Sequence, residues 1–170
     1  IGGTGTNDMG LGMCSRFSLE LKDHFGKIIE IVPNEFHTTS SLKWDLADLD
    51  FEIECICDVD NDVIGKSGST YQFASQKGAT KGELAVMELG FTKIVNLLYN
   101  NNIWDRSKKL FGAGGGLAAG LQVFFNAECQ HSKDFLITNF QEKYKSAQFD
   151  ILITGEGSFD AQSLTGKGTK

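Results

Sequence analysis

The sequence has little proline, histidine and cysteine, with one, three and four residues respectively among 170, and it has no run of lysine or arginine. The formal net charge of -6 argues against a nucleic-acid partner. No apolar run approaches the length of a membrane span and no signal peptide is visible, so we expect a cytoplasmic protein without a membrane partner. The cysteines show neither zinc spacing nor the density of a disulfide scaffold. We therefore expect reduced, mostly buried thiols at Cys14, Cys55, Cys57 and Cys129.

Both ends of the sequence resemble interrupted loops. The first residues, Ile-Gly-Gly, have the composition of a strand end that enters a loop, and they lack an initiating methionine. The last residues, Gly-Thr-Lys, leave a loop unfinished. The hydrophobic content of 41% is sufficient for one substantial core in a chain of this length. We therefore expect a fragment of a longer protein.

A short apolar run near the carboxyl end is followed by a polar, glycine-rich stretch. The run from Ile151 to Ile153 predicts a strand that is buried on both faces. After residues 154–157 (TGEG) come the polar side chains Asp160, Gln162, Ser163 and Lys167. Open α/β sheets bind ligands beyond the ends of such strands, so this stretch is a candidate ligand site. The Walker pattern of a P-loop is not met, and a plain surface loop is the alternative.

A second glycine-rich stretch occupies residues 1–13 (IGGTGTNDMGLGM). Asn7 or Asp8 can cap a helix that runs through Met13 and Phe17, because their side-chain oxygens accept unpaired N–H groups of a first helical turn. A glycine-rich loop that leads into a helix favours anions, since free N–H groups and the helix dipole both attract negative charge. The alternative is a flexible loop without a ligand.

Hydrophobic periodicity predicts the regular structure of the remaining chain. Strands are predicted at residues 27–33, 51–57, 71–73 and 135–138. Helices are predicted from Thr80 to about residue 99, from the glycine run at residues 112–120 through Cys129, and at residues 141–147. Thr80 and Glu83 form a capping box for the first of these helices. A polar turn is predicted at residues 76–78.

Residues 58–69 contain two motif-like patterns that fail on inspection. Their alternating acidic residues imitate a calcium-binding EF-hand, but Val63 stands where that loop needs glycine. The sequence Gly-Lys-Ser at residues 65–67 imitates a P-loop, but Asp60 stands in place of its first glycine. Asp58, at a strand end, and Asn61 remain candidates to face a ligand or a hydrated metal ion. An Asp/Asn-rich turn held by its own side chains is the alternative.

A third glycine-rich run, residues 112–120 (GAGGGLAAG), formally satisfies the dinucleotide fingerprint from Gly114 to Ala119. That fingerprint must follow a strand, and residues 106–110 (RSKKL) do not predict one. We therefore favour a structural explanation, in which small residues let a helix approach another backbone closely.

Five segments, in the same order, resemble the bacterial type-1 glycerate kinases. They are residues 1–13, 57–69 (CDVDNDVIGKSGS), 73–80 (FASQKGAT), 112–121 and 154–167 (TGEGSFDAQSLTGK). Residues 154–167 match the family pattern T-G-E-G-x-x-D-x-Q-[ST]-x-x-G-K at every specified position. Two departures are Asp62, where the family has proline, and a glycine run two residues shorter, with Ala118 in place of glycine.

This resemblance implies ATP-dependent phosphorylation of D-glycerate, with Mg²⁺, to a phosphoglycerate. It implies an α/β fold: a mixed sheet with packed helices, the central domain of a two-domain glycerate kinase whose Rossmann-like domain is largely missing here. Residues 1–13 would be a hinge and glycine-rich loop, residues 14–149 the central α/β domain, and residues 150–170 a return strand and loop toward the Rossmann-like domain. A homodimer is left open, and so is the alternative of a non-catalytic domain that binds a small sugar acid or anion. We expect residues 1–170 alone to be inactive.

The resemblance also locates the site residues. Asp160 would be the catalytic carboxylate nearest the reacting hydroxyl or the magnesium ion, with Glu156 in support. Phosphoryl transfer requires groups that position and neutralise anions more than covalent chemistry, so cations, amides and N–H groups complete the set. The predicted substrate- and nucleotide-binding residues are Gly2, Gly3, Thr6, Asn7, Asp8, Asp58, Asn61, Gln76, Lys77, Gly155, Gln162 and Lys167.

Overall fold

A computed structural model describes residues 1–45, 50–145, 148, 150, 151 and 153 of the chain. These residues form an α/β fold with both parallel and antiparallel strand pairs, and the predicted fold class is confirmed. The helices are α1 (Leu11–Cys14), α2 (Lys81–Asn100), α3 (Leu117–Phe125) and α4 (Ser132–Tyr144). The strands are β1 (Glu20–Lys22), β2 (Ser41–Lys43), β3 (Glu54–Cys57) and β4 (Glu128–His131). Short helical turns occupy Ser15–Phe17, Phe36–Thr38, Thr70–Ala74 and Ser75–Lys77.

The strands of the described residues pair two by two. β1 and β2 are antiparallel, whereas β3 and β4 are parallel, with Cys55 opposite Cys129. The prediction of a strand at residues 27–33 is wrong. Asp23 accepts hydrogen bonds from the N–H groups of Phe25 and Lys27, which closes a tight turn, and Ile28 then makes only a single bridge to Lys22. The ladder of β1 is completed by β2 instead.

Helix α2 is the predicted helix and has the predicted capping box. The Thr80 side chain accepts from the Glu83 N–H group, and the Glu83 carboxylate accepts from the Thr80 N–H group at 2.7 Å. Its apolar face lies in the larger hydrophobic core, where Phe91 stacks on Phe36 with 6.2 Å between ring centroids. The helix therefore follows from a local cap and one amphipathic face.

Two other predicted strands are helical. Residues 70–74 form a helical turn in which Thr70 and Ala74 are buried and Tyr71 is exposed, so the burial repeats every four residues and not every two. Residues 135–138 lie within α4, because His131 caps that helix by accepting the Lys133 N–H group. In α4 the local cap outweighs the β-propensity of the apolar residues 135–138.

Two predictions toward the carboxyl end also fail. Helix α3 ends at Phe125, because Asn126 takes a left-handed conformation, and Cys129 belongs to β4. Ile151 and Ile153 were predicted in a buried strand, but they are 78% and 90% exposed. No described residue packs over these two side chains.

The third glycine run has the structural role that we favoured. Residues 106–116 contain one isolated bridge, from Phe111 to Asp62, so no strand precedes α3 in this part of the chain. A Cβ atom placed on Gly120 would lie 2.3 Å from the Met9 carbonyl oxygen. Only glycine permits this approach, which packs α3 against the loop that leads into α1.

Three of the four cysteines are buried and Cys129 is half-buried, as predicted. Among the described residues, no helix combines the length and the apolar character needed to cross a membrane.

Candidate functional site

The first three residues lie beside the end of β3. The N–H group of Asp58 donates to the carbonyl of Ile1 at 3.3 Å, and the nitrogen of Ile1 donates to the carbonyl of Ile56. The Asp58 carboxylate, directly after the strand, lies against Gly2, where a Cβ atom would come within 2.2 Å of Asp58 Oδ2. The amino-terminal glycines and the carboxylate of Asp58, which follows a strand as predicted, therefore share one corner of the molecule.

The second and third glycine-rich stretches contact each other through their main chains. The Met9 N–H group donates to the Gly115 carbonyl at 3.1 Å. Gly115 has a φ of 69°, and a Cβ atom there would lie 2.2 Å from the Thr6 carbonyl oxygen. A left-handed backbone and a contact this close both require glycine. Loops more than 100 residues apart in the sequence therefore form one wall.

Lys77 joins these loops to the helical turn at Ser75–Lys77. Its ammonium group donates to Thr4 Oγ1 at 3.2 Å and to the Thr6 carbonyl oxygen. Partial burial lowers the pKa of Lys77, and the nearby Asp8 carboxylate opposes part of that shift. An ammonium group has three N–H donors, so one remains for a ligand.

Asp8 fixes the start of α1 by accepting main-chain hydrogen bonds. Its two carboxylate oxygens accept the N–H groups of Gly10, at 2.9 Å, and Gly12, at 3.1 Å. Asp8 thus engages the first turn as predicted, although the residue in the N-cap position is Gly10. The carboxylate also contributes negative charge near Lys77. In this structure Asp8 holds the loop at the start of α1, and both of its carboxylate oxygens are already hydrogen-bonded.

These elements enclose a cavity of about 310 Å³. Five predicted site residues line it: Gly2, Gly3, Asp58, Gln76 and Lys77. Five further lining residues were not predicted: Thr4, Val59, Phe73, Gly114 and Gly115. Gly114 and Gly115 belong to the third glycine run, so the sequence did mark them, but we had assigned that run to helix packing only.

The Asp58 carboxylate is the acidic group in the cavity lining. In the described part of the chain it makes no hydrogen bond and no ion pair, and Lys77 bonds to Thr4 and Thr6 instead of to Asp58. A carboxylate and an ammonium group therefore face the same 310 Å³ space without neutralising each other. Such a space can bind a small polar ligand that carries both an anionic group and a hydroxyl or a hydrated cation.

Four predicted residues lie outside the cavity lining: Thr6, Asn7, Asp8 and Asn61. Asn7 is 7% exposed, and its side-chain nitrogen and oxygen have no hydrogen-bond partner among the described protein atoms. Asn61 is 9% exposed and donates to the Asp62 carbonyl at 2.9 Å, packed beside Gly112. Asn61 therefore orders the turn after β3, while Asn7 is buried beside Gly115.

The predicted residues Gly155, Glu156, Asp160, Gln162 and Lys167 lie outside the described residues. Thr6 belongs to the site through its carbonyl oxygen, which accepts from Lys77. Among the described residues, no group of three or more His, Cys, Asp or Glu side chains is arranged to hold a metal ion.

A second, larger cavity of about 530 Å³ lies elsewhere and contains none of the predicted residues. Its cations already have partners. Lys109 pairs with Asp60 at 2.5 Å, Arg106 donates to Asn100 and covers the Tyr99 ring, and Lys108 lies over the Trp104 ring. We therefore assign the candidate site to the smaller cavity, where the glycine-rich segments at residues 1–13 and 112–120 meet Lys77.

The protein has an α/β fold with a cavity between glycine-rich loops that is lined by one ammonium and one carboxylate group, and comparisons with known proteins identify the family. The model of the glycerate kinase family matches residues 1–170. The glycerate kinase of Bacillus subtilis is 32% identical, and that of Bacillus cereus 30%, each over 98% of this chain. The glycerate 2-kinase of Escherichia coli is 29% identical over the same share. The chain belongs to the glycerate kinase family.

The fold comparison agrees with the sequence comparison. A crystal structure described as glycerate kinase 2 from Salmonella typhimurium LT2 covers 99% of this chain, with a TM-score of 0.74 and 31% identity. The chain covers 46% of that structure and 45% of each of the three curated relatives. It therefore spans about half the length of the proteins that it matches.

Proposed function

We propose that the protein containing residues 1–170 phosphorylates D-glycerate with ATP and Mg²⁺, giving a phosphoglycerate. The observation that carries this proposal is the 310 Å³ cavity in which Asp58 and Lys77 face one space between the glycine-rich loops. Its volume is at the small end of ligand pockets, which span about 300–1,000 Å³, and suits a three-carbon acid better than a whole nucleotide. Family membership supplies the reaction class.

Lys77 is the residue that we assign to the anionic group of the substrate. It is partly desolvated, so its charge acts in a less polarisable environment than bulk water and attracts a carboxylate or phosphate more strongly. The N–H groups of the loop segments that contain Gly2, Gly3, Gly114 and Gly115 border the same cavity and are further candidate donors. Together they would hold one end of the substrate in a fixed position, which is the main requirement of phosphoryl transfer.

Asp58 fits a hydrated Mg²⁺ ion, because its carboxylate lines the cavity and makes no other hydrogen bond or ion pair within the described residues. Magnesium in such sites is held by one or two carboxylates together with waters and substrate phosphates. The ion would neutralise charge on the transferring phosphoryl group. Asp160, with Glu156 in support, is proposed as the carboxylate nearest the reacting hydroxyl, and Gly155, Gln162 and Lys167 as further ligand-binding residues.

The domain assignment belongs to the same proposal. Residues 1–13 act as hinge and glycine-rich loop, residues 14–149 as the central domain, and residues 150–170 as the return toward a Rossmann-like domain. We propose a cytoplasmic location and keep a homodimer as an outcome to be measured. Analysis of the product by ³¹P NMR identifies the hydroxyl that receives the phosphoryl group.

Isothermal titration calorimetry tests the proposal. Binding of both ATP–Mg²⁺ and D-glycerate supports the kinase, whereas binding of the acid alone supports a non-catalytic sugar-acid-binding domain. Binding of neither shows that residues 1–170 hold an incomplete site. Phosphoglycerate formation, followed by ³¹P NMR, then tests the reaction itself. We predict no turnover by residues 1–170 alone, and measurable phosphoglycerate from them would contradict that prediction.

A further inference from the structure

Three of the four cysteines lie together where β3 and β4 pair. Cys55 and Cys129 are direct partners in the parallel register, and Cys57 lies two residues further along β3. Cys55 and Cys57 are buried, while Cys129 is half-buried, and all three belong to one small apolar cluster. The proposed phosphoryl transfer uses none of these thiols, although Asp58 follows Cys57 directly in the chain.

The pairing register brings Cys55 and Cys129 within reach of a covalent bond. Partners on neighbouring strands have Cα atoms about 4.8 Å apart and side chains on the same face of the sheet. Disulfides form when the Cα atoms are about 4.4–6.8 Å apart, so this pair satisfies the distance requirement without movement of the strands. Cys57 is diagonal to Cys129 and therefore lies further from it in the ladder.

The contacts among the thiols make Cys55 the stronger acid of the pair. Hydrogen bonding with Cys129 lowers the pKa of Cys55, against the opposing effect of burial. The same contacts, with Cys55 first, raise the pKa of Cys129. Cys14 is different: it lies apart in the larger core, and burial together with the nearby Asp8 charge raises its pKa to about 12. Cys14 is therefore an internal control for unreactive, buried thiols.

We propose that Cys55 and Cys129 form a reversible disulfide when the protein meets a peroxide. The Cys55 sulfur attacks one peroxide oxygen, giving a sulfenic acid, and the departing hydroxide takes the Cys55 proton as a first water molecule. The Cys129 sulfur then attacks the Cys55 sulfur, which forms the S–S bond, and the second departing hydroxide takes the Cys129 proton as a second water. The two thiols lose two electrons and two protons, and hydrogen peroxide is reduced to water.

Peptide mapping of the protein after brief treatment with hydrogen peroxide tests this proposal. The expected result is a linked pair of peptides containing Cys55 and Cys129, with a mass lower than their sum by two hydrogen atoms. Dithiothreitol should separate the pair. The Cys14 thiol should be lost at least about tenfold more slowly than that of Cys129, since structural buried thiols are inert. The mapping requires no ligand, so its outcome is independent of the proposed kinase function.

The Cys129→Ser variant supplies the control, because it removes one sulfur and retains a polar group of similar size. Under the treatment that oxidises the unsubstituted protein, Cys55 of this variant should stop at a sulfenic acid, which dimedone traps, because the opposing thiol is absent. The unsubstituted protein decides the proposal even where this variant fails to fold. A link from Cys129 to Cys57 or Cys14, a link only between two chains, or loss of all four thiols at one rate would overturn it.

Discussion

Replacement of Lys77 by methionine removes the ammonium group from the cavity and keeps an unbranched side chain of similar length. The ammonium makes two bonds to the amino-terminal loop, at Thr4 and Thr6, and has one donor left. A hydrogen bond to a charged group contributes about 1.5–3 kcal/mol, which corresponds to about 10- to 150-fold in a dissociation constant. Because Lys77 is only partly buried, we expect the lower end, about a tenfold weaker affinity for D-glycerate.

The same substitution should also loosen the loop that Lys77 holds. Two partly exposed hydrogen bonds to Thr4 and Thr6 together suggest a loss of about 1 kcal/mol in the free energy of unfolding. Urea denaturation measures this loss, and calorimetry measures the affinity. The control is Lys66→Met, because Lys66 is exposed and has neither an ion pair nor a hydrogen bond within the described chain. Neither quantity should change in that control.

The pKa of Lys77 gives the prediction a second, independent test. Burial places the folded-state pKa below the usual value of 10.5, so the unfolded state binds more protons between the two values. Stability therefore rises with pH in that window, whereas anion binding weakens as Lys77 loses its charge. Lys77→Arg should keep binding constant across this range. Unchanged glycerate affinity in Lys77→Met would refute the assignment of Lys77 to the ligand.

Three further predictions concern the loops and the helix. Gly115→Ala should destabilise the fold by about 2 kcal/mol or more in urea denaturation, because φ is 69° and its Cβ meets a carbonyl oxygen; Gly5→Ala, with open space around its Cβ, should have little effect. The capping box lowers the pKa of Glu83, so its carboxylate stabilises the fold above the usual pKa and the contribution is lost as pH falls through the lowered value. Unfolding midpoints of Glu83→Gln should therefore depend less on pH between about pH 5 and 3 than those of Glu52→Gln, and equal slopes would contradict this. In the protein containing residues 1–170, Asp160→Asn should lower turnover about 10²- to 10⁴-fold with unchanged unfolding, and near-normal turnover would remove Asp160 from the mechanism.

The features that the sequence predicted correctly depend on neighbouring residues. Thr80 and Glu83 are three positions apart, so their reciprocal hydrogen bonds form wherever the helix forms, and α2 was predicted from its first residue. The strand β3 followed from alternation of apolar residues, although only its last four residues pair. The family was indicated by five segments in order, and the match over residues 1–170 confirms it.

The secondary-structure predictions were wrong where one local sequence pattern is compatible with two structures. An apolar run such as Phe135 to Thr138 suits a strand or a helix, and the cap at His131 decided for α4. Residues 27–33 have the composition of a strand, but the turn held by Asp23 left them without a ladder, because β1 pairs with β2. Strand formation requires a partner, and the identity of the partner is not encoded locally.

The sequence by itself indicated the candidate residues of the site: a strand-end aspartate, Lys77 and the glycine-rich segments at residues 1–13 and 112–120. Tertiary structure alone decided that they share one cavity, since Lys77 reaches Thr4 and Thr6 across more than 70 positions and Gly115 meets Thr6 across more than 100. Such contacts depend on chain closure and on backbones that approach within a distance only glycine tolerates. Tertiary structure likewise placed Cys55 opposite Cys129, a pairing set by the register of β3 and β4.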